Sequence, residues 1–375
     1  MNISRTDTSG FARWWWTIDR VTLMATMALM AIGLVLAFAA SPAATTAPNS
    51  SLAGNFSYAL KQAGFALTAI AILVGASSLG YKETRLVAAW VFALALIGAF
   101  FALLIGEDIN GAHRWLDFGG LNLQPSEFLK PAFAVLAAAF LADKLKRGFP
   151  GGLVSAALLA PALVVLLLQP DVGQTMLLGT LCVAMLFLAG LPYYWIALMG
   201  GGGLVTACTA YTLYPHVRER LDQFLNSSGY QTGLALKAFT AGGITGVGPG
   251  AGRVKYRLPD AHTDFVFAVA GEEFGVILCI LIAVLFALVT IRILMRASRA
   301  KDPFAQLAGA GLAIVVAIQA FINMGVSLSI LPAKGMTLPL ISYGGSSLFA
   351  VALTLGFALG ITRQRAIIPE EVPHE

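Results

Sequence analysis

Charge is what this chain has least of. Only 11% of its 375 residues are Asp, Glu, Lys or Arg, against 58% apolar, and its mean hydropathy is +0.80, far outside the range of soluble globular domains. Histidine is scarce too, with four residues, and cysteine scarcer, with three. Cys182, Cys208 and Cys279 all lie inside apolar runs, with no CxxC spacing and no histidine pair nearby. They read as small core residues, not as disulfide partners or metal ligands. Strand-like alternation of polar and apolar residues is missing, which excludes a membrane β-barrel. No repeat is found, nor a matching pair of broken helices in the two halves, which weighs against an alternating-access carrier.

What remains is a series of long apolar runs between short polar joints. Helices, which satisfy their own backbone groups, are the only other way across a bilayer. The expectation is an all-α integral membrane protein, one domain over 1–375, with ten spans near 21–40, 59–79, 86–105, 126–142, 152–168, 172–190, 193–214, 265–291, 304–329 and 343–362. The first run follows Arg5, Arg13 and Arg20 and precedes SPAATTAP, which imitates a secretory cleavage site. At about twenty residues it exceeds what a signal needs, and Trp14, Trp15 and Trp16 suit the headgroup interface, so it is expected to be retained.

Ten crossings put both termini on one side. With the amino terminus inside, 14 of the 24 basic residues fall in inner segments, from Arg5, Arg13 and Arg20 through Lys144, Arg292 and Arg296 to Arg363 and Arg365, as the positive-inside rule requires. Six of the other ten lie in the long joint from Pro215 to Thr263, between spans 7 and 8, and joints of that length report orientation weakly. Both termini are therefore expected in the cytoplasm, 1–20 and 363–375 being cytoplasmic segments and 215–263 an outer loop. The net charge of +5 comes from these inner joints and needs no nucleic acid, only anionic lipid.

The polar residues gather on the outer side. In LPDAHTDFVFAVAGEEFG, Thr263 can cap a helix and Asp264 sits in its first turn, where a carboxylate is favoured by the dipole whether or not it does chemistry. Glu272 and Glu273 lie about 12 to 14 Å further along a helix, at a depth where ionisable groups either mark function or pair with a buried base; pairing is the expected role. In QPSEFLKP, Glu127 and Lys130 share a helix face at i and i+3, and Lys130 stands outside against the orientation rule. Asp171 in QPDVGQ follows a proline at a helix start and reads as a cap. His113, Arg114 and Trp115 suit a sugar or a headgroup, or plain interface anchoring. GGITGVGPGAGRVKYRLPD, with Arg253, Lys255 and Arg257, could bring backbone amides and cations to a phosphate, although it lacks the GK[ST] of a P-loop. SYGGSS, with Ser342 and Ser346, can donate hydrogen bonds or simply pack closely.

Taken in order, LPDAHTDFVFAVAGEEFG, QPSEFLKP, QPDVGQ and LPAKGMTLPLISYGGSS closely resemble the signature segments of the SEDS family, the bacterial shape, elongation, division and sporulation proteins. The resemblance covers nearly the whole chain, and KGMTLPLISYGGSS is similar to the cell-division branch, since the elongation branch usually lacks a counterpart of Lys334-Gly335. It implies a peptidoglycan glycosyltransferase of the bacterial inner membrane that polymerises lipid II on the outer face at the division septum. The implied partners are the growing glycan strand, a class B penicillin-binding protein and other divisome membrane proteins. The family's essential aspartate falls on Asp264, and its glutamate and lysine on Glu127 and Lys130. Substrate contacts are expected from these two and from Arg114, Trp115, His262, Arg253, Lys255, Ser342 and Ser346, with Asp171, Glu272 and Glu273 as structural polar groups. Where the family often has PEAHTDF this chain has PDAHTDF, which makes Asp260 a poor catalytic candidate. The pyrophosphate leaving group needs its charge compensated by Lys130, Arg114, the Arg253 region or a divalent cation such as Mg or Mn. A lipid II flippase and a non-catalytic divisome scaffold are the alternatives, and within the family an elongation-type member is the alternative to the division type.

Overall fold

In a computed structural model of the protein, the residues described are 9–44, 57–108, 112–117, 119, 122–148, 150–214, 218, 222, 229–332 and 335–363. Arg5, Lys334 and Arg365 lie outside them, as does all of 215–228 except Arg218 and Asp222. Each expected span falls on a helix: α2 (Arg20–Ala44), α3 (Ser57–Ser78), α4 (Tyr81–Ile105), α5 (Ser126–Arg147), α6 (Gly151–Leu168), α7 (Val172–Leu188), α8 (Tyr193–Leu213), α10 (Val266–Ser298), α11 (Pro303–Ser327) and α12 (Gly345–Ile361). A short α1 (Gly10–Thr17) precedes them, and α9 (Tyr230–Gly242) and a 3-10 turn (Val254–Tyr256) give the long joint structure of its own. The strands among the described residues are β1 (Glu107–Asp108), β2 (His113–Asp117) and β3 (Asn122–Leu123), a small antiparallel sheet between α4 and α5.

The bundle is layered by burial. Every residue of α12 except Phe349 is buried, and α5 buries Leu129, Lys130, Phe133, Val135 and Leu141. α4, by contrast, exposes Leu86, Trp90, Leu94, Ile97, Phe101 and Leu104, a stripe at helical spacing that suits lipid. α3 packs along α12, and Gly356 permits it: a Cβ there would lie 2.6 Å from Ala76 Cβ and 2.9 Å from the Leu73 carbonyl. Close approach through small residues is how helices associate where no hydrophobic force separates protein from solvent. Cys182 and Cys279 are buried as expected, but Cys208 is exposed on α8, because a lipid-facing position tolerates a small apolar thiol as well as the core does.

The two ends of the bundle differ. At one, Trp14 Nε1 donates to Ser77 Oγ (2.8 Å) and Tyr81 Oη to the Ile361 carbonyl (3.2 Å), so α1 is tied there to the end of α3 and α12 to the start of α4. Asp19 binds Arg292 (2.9 Å) and Arg296 (3.0 Å) at the foot of α10. At the other end lie the sheet, the α6–α7 joint, the long loop and the segment between α11 and α12.

The span expected at 265–291 is not one helix. It breaks at Gly275, whose φ of 75° and ψ of −175° only glycine adopts readily. A break inside an apolar bundle orphans carbonyls on one side and amides on the other. The glycine-rich loop takes up both sets: Val247 and Gly248 N–H groups donate to the Glu272 and Glu273 carbonyls (3.0 Å each), while Val276 and Ile277 donate to the carbonyls of Gly243 (3.0 Å) and Ile244 (3.4 Å). Amides that could have met a phosphate are also spent on protein. The Glu272 carboxylate accepts from Arg253 (2.6 Å), Val254 (2.7 Å) and Lys255 (3.0 Å) N–H groups. Glu273 accepts from Gly250 N–H (3.1 Å) and from the Lys255 ammonium, which also donates to the Ala39 carbonyl (2.7 Å). Glu273 thus pairs with a buried base as expected, whereas Glu272 is held by backbone amides. Lys255, 1% exposed, faces Glu273 and Ala39 and not solvent, which is a different task from the substrate contact expected of it.

Gly275→Ala would put a Cβ 2.2 Å from the Ile244 carbonyl oxygen in a left-handed conformation, and is expected to lower stability by on the order of 1–3 kcal/mol or more, read as a reduced unfolding midpoint in detergent. Asp19 supplies a pH test. Burial raises its carboxyl, but the hydrogen bonds from Arg292 and Thr22 and the charges of Arg296 and Arg292 outweigh burial and hold it below the usual carboxylate value. A depressed folded-state pKa stabilises above the unfolded value, and that contribution is lost as pH falls through the folded value. The wild type should melt above Asp19→Asn at neutral pH, and the gap should close below about pH 4.

Candidate active site

The tight turn before α10 presents Asp264. Asp260 takes a left-handed φ of 54°, and its carbonyl accepts from Thr263 N–H (3.1 Å) and Phe265 N–H (3.2 Å). Thr263, expected to cap the helix, donates its hydroxyl to the Asp260 carbonyl instead (3.2 Å); the N-cap position is Phe265, with no side-chain capping bond. Asp260 is exposed, as a loop residue should be, while Asp264 and His262 are half-buried.

Three consecutive carbonyls of this turn are held from outside it. Tyr343 N–H donates to His262 (2.9 Å), Ser342 Oγ to Thr263 (2.5 Å) and Asn323 Nδ2 to Asp264 (2.8 Å). Ser342 also accepts from Leu338 N–H (2.7 Å), and its own carbonyl accepts from Gln62 Nε2 (3.3 Å). Gly335 comes so close that a Cβ there would lie 3.5 Å from Asp264 Oδ2. The rings of Tyr58, His262 and Tyr343 meet with centroids 5.0 to 5.7 Å apart. Burial pushes the His262 imidazole below its ordinary value, with Asp260 pulling the other way. Burial thus disfavours the charged form of this ring.

A second group runs through the bundle next to this turn. Lys130 donates to Glu127 Oε2 (2.7 Å) and Gln319 Oε1 (2.9 Å), and Gln174 Nε2 to Glu127 Oε1 (2.6 Å). The i,i+3 pair is thus real but fully desolvated, Glu127 being 3% and Lys130 1% exposed. Gln319 Nε2 donates to the Thr337 carbonyl (3.2 Å), and Thr337 Oγ1 lies 2.6 Å from Ser347 Oγ. At the other flank Asp171 caps α7 through Gln174 N–H (3.2 Å) and meets Gln124 Nε2 (3.3 Å) and Arg114 Nε (3.8 Å). Burial raises the Asp171 carboxyl, opposed by Arg114 and the Gln174 amide. Arg114 further donates to the carbonyls of Pro170 (2.7 Å) and Gln169 (3.3 Å), so it closes the α6–α7 joint. Trp115 is half-buried in β2 and Arg253 is exposed; Ser346 is buried, its hydroxyl without a hydrogen-bond partner among the described residues.

Asp264, His262 and Ser342 therefore come together in one constellation, and Glu127, Lys130, Asp171 and Arg114 in a neighbouring one. Arg253 stands apart on the surface. Gln319 and Asn323, which join the two groups, were not singled out from the sequence. They carried a signal nonetheless: Gln319, Asn323 and Ser327 recur every fourth residue on a helix whose one other polar side chain, Gln306, lies in its first turn, and polar side chains at membrane depth face the interior. Gln174, Thr337, Gln62 and Tyr58 carried no comparable pattern. Among the described residues no three His, Cys, Asp or Glu side chains come together to hold a metal.

An all-helical multi-pass membrane protein, with a carboxylate in a braced turn at one end and a desolvated acid–base pair beside it, is the class that the fold and site define. The chain belongs to the cell cycle protein family of FtsW, RodA and SpoVE, whose model matches residues 19–367. It is 43% identical over 367 residues to the probable peptidoglycan glycosyltransferase FtsW of Caulobacter vibrioides, covering 96% of this chain and 93% of that one. It is similar to a chain in a peptidoglycan synthase complex solved for its coordination of polymerization and crosslinking, with TM-score 0.73, 27% identity and coverage of 93% and 98%. RodA of Thermus thermophilus, a rod shape determining protein, matches with TM-score 0.68, 25% identity and coverage of 93% and 97%. The SEDS resemblance and the all-α membrane fold are thereby borne out.

The desolvated pair predicts a measurable asymmetry. Lys130→Met strands the Glu127 charge and is expected to cost about 3–5 kcal/mol, whereas Lys130→Met with Glu127→Gln should recover much of it. Unfolding midpoints of the two variants in detergent check this, and equal loss in both would dismiss the pair as the cause.

Proposed function

We propose that this chain is a peptidoglycan glycosyltransferase of the bacterial inner membrane that polymerises lipid II on the outer face during septal wall synthesis. The observation that carries the reading is the turn at Asp264: its backbone is braced at three successive carbonyls while its residue stays half-exposed, an arrangement suited to a rigidly aimed base. The Caulobacter relative, named as a peptidoglycan glycosyltransferase of the FtsW type, supports the same activity and the division branch. The orientation follows from charge. Arg20, Lys82, Arg85, Arg292, Arg296 and Arg299 support a cytoplasmic opposite end by the positive-inside rule, and with it the reading that both termini are inside and Asp264 outside.

Chain growth needs a sugar 4-hydroxyl to attack an anomeric carbon. In the proposed step the new C–O bond forms as the bond to the lipid-linked pyrophosphate breaks, the bonding pair leaves with the pyrophosphate, and the hydroxyl proton passes to the Asp264 carboxylate. A single displacement inverts the anomeric centre, so one carboxylate suffices where retaining glycosidases need two. Of the cations expected to meet substrate, Lys130, Arg114, Lys255 and Arg253, the last is the exposed one, which supports it as the contact for the pyrophosphate. Lys130 and Arg114 act from behind, fixing the elements that bound the site. A divalent cation such as Mg or Mn fits only in company with the pyrophosphate, since such ions accept one or two carboxylates plus substrate phosphates. The synthase complex among the structural relatives supports a crosslinking partner, which we take to be a class B penicillin-binding protein, within a larger set of divisome membrane proteins.

The break at Gly275 is the one feature that favours a lipid II flippase, since discontinuous helices line transport sites. Here the break is filled by Gly243–Gly248 and both adjoining carboxylates are taken, so polymerase remains the better reading. Purified protein with its crosslinking partner, given lipid II, should make glycan strands visible on a gel, and folded Asp264→Asn should make none. Polymer unaffected by that change would remove Asp264 from the reaction, and lipid II movement across vesicles without polymer would replace the polymerase with the flippase.

A further inference from the structure

We infer that Asn323 is a positioning residue for Asp264, acting from α11 on both segments that border the carboxylate. Its amide nitrogen has two protons, and both are used: one goes to the Asp264 carbonyl (2.8 Å) and the other to the Met336 carbonyl (2.6 Å). Met336 follows Gly335, the residue that abuts Asp264 Oδ2. One side chain therefore staples the turn that carries the carboxylate to the segment that walls it. Ser342 makes a second link from within the wall, its hydroxyl accepting from Leu338 N–H and donating to the Thr263 carbonyl, whereas Asn323 acts from α11, outside both segments.

The staple is anchored where it cannot drift. Asn323 is 1% exposed and stands one turn after Gln319, which holds Lys130 and the Thr337 carbonyl. Met336 and Thr337 are adjacent, so the same wall is pinned twice by one face of α11. Keeping a buried amide in a membrane helix is costly unless its hydrogen bonds are needed, and here the Asn323 side-chain oxygen has no partner among the described residues. A residue retained for helix packing alone would be better apolar. What the amide supplies is the spacing between Asp264 and the Gly335–Met336 wall, and misplacement of a reacting group by about 1 Å costs on the order of a hundredfold in rate.

The inference rests on the polymerase reading, and the same assay separates the two. Full-length protein with its crosslinking partner is assayed for lipid II polymerisation, with Asn323→Ala, Asn323→Ser, which keeps one donor, and Ser327→Ala as a buried polar-to-apolar control one turn further along α11. In Asn323→Ala, kcat is expected to fall about tenfold or more with the KM for lipid II changed less than about threefold and the acidic limb of the kcat profile displaced. Asn323→Ser should fall between, and Ser327→Ala should match the wild type. Wild-type kcat and pH profile in either Asn323 variant overturns the inference, and so does an equal loss in Ser327→Ala, which would assign the effect to helix packing. Should Asn323→Ala fail to fold, Asn323→Ser decides by the same criteria. Absence of polymer from the wild type is a failure of the polymerase reading instead.

Discussion

A backbone that leaves its helix inside an apolar bundle must find its hydrogen bonds elsewhere, and that requirement organises the half of this molecule that carries the site. The interruption at Gly275 is possible because the loop from Gly243 to Gly248 supplies both acceptors and donors to it. Each unsatisfied group at that depth would cost several kcal/mol, so the loop and the broken helix can exist only together. Glu272 and Glu273 extend the same bond outward, holding Arg253 to Lys255 and the ammonium of Lys255. The short first half of α10, with Asp264 at its mouth, is thus fixed at its far end by the long loop and at its near end by α11 and the approach to α12.

Buried charge follows a consistent pattern. Glu127 with Lys130, and Glu273 with Lys255, are desolvated pairs whose remaining capacity goes to amides or carbonyls. Pairs of this kind add little net stability over well-packed apolar groups but punish the loss of one partner. Their effect is to make particular helix contacts the only tolerable ones. Asp264 differs from them in being half-exposed, and Arg253 differs from its neighbour Lys255 in the same way. The contrast separates groups that hold the scaffold from groups able to meet something outside it.

Much of the architecture was legible in the residues. Each apolar run falls on a helix, because hydrophobic length is a direct consequence of bilayer thickness, although the run at 265–291 belongs to a helix that breaks at Gly275 and continues to Ser298. The neighbourhood of HTDF, QPSEFLKP and SYGGSS was suggested by family resemblance, and the bonds from Ser342 and Tyr343 to the HTDF turn give it physical form. Less legible was the glycine-rich basic segment. Its amides and lysine looked available to a phosphate, and nothing local in GPGAGRVK reveals that Glu272 and Glu273, some twenty positions on, would claim them. Thr263 looked like a cap and serves the preceding turn. Gly275 stood unremarked in a hydrophobic run, since one glycine does not announce a break.

Composition and run length determined by themselves that the chain is a helical membrane protein and where its apolar helices lie, because both depend on transfer of single segments between water and lipid. Which polar groups face outward and which are consumed inside was decided by the tertiary structure alone. Hydrogen bonds and ion pairs between distant segments compete for the same donors and acceptors, and only the folded bundle settles that Lys255 goes to Glu273, that Glu272 takes the loop amides, and that Asn323 holds the turn of Asp264.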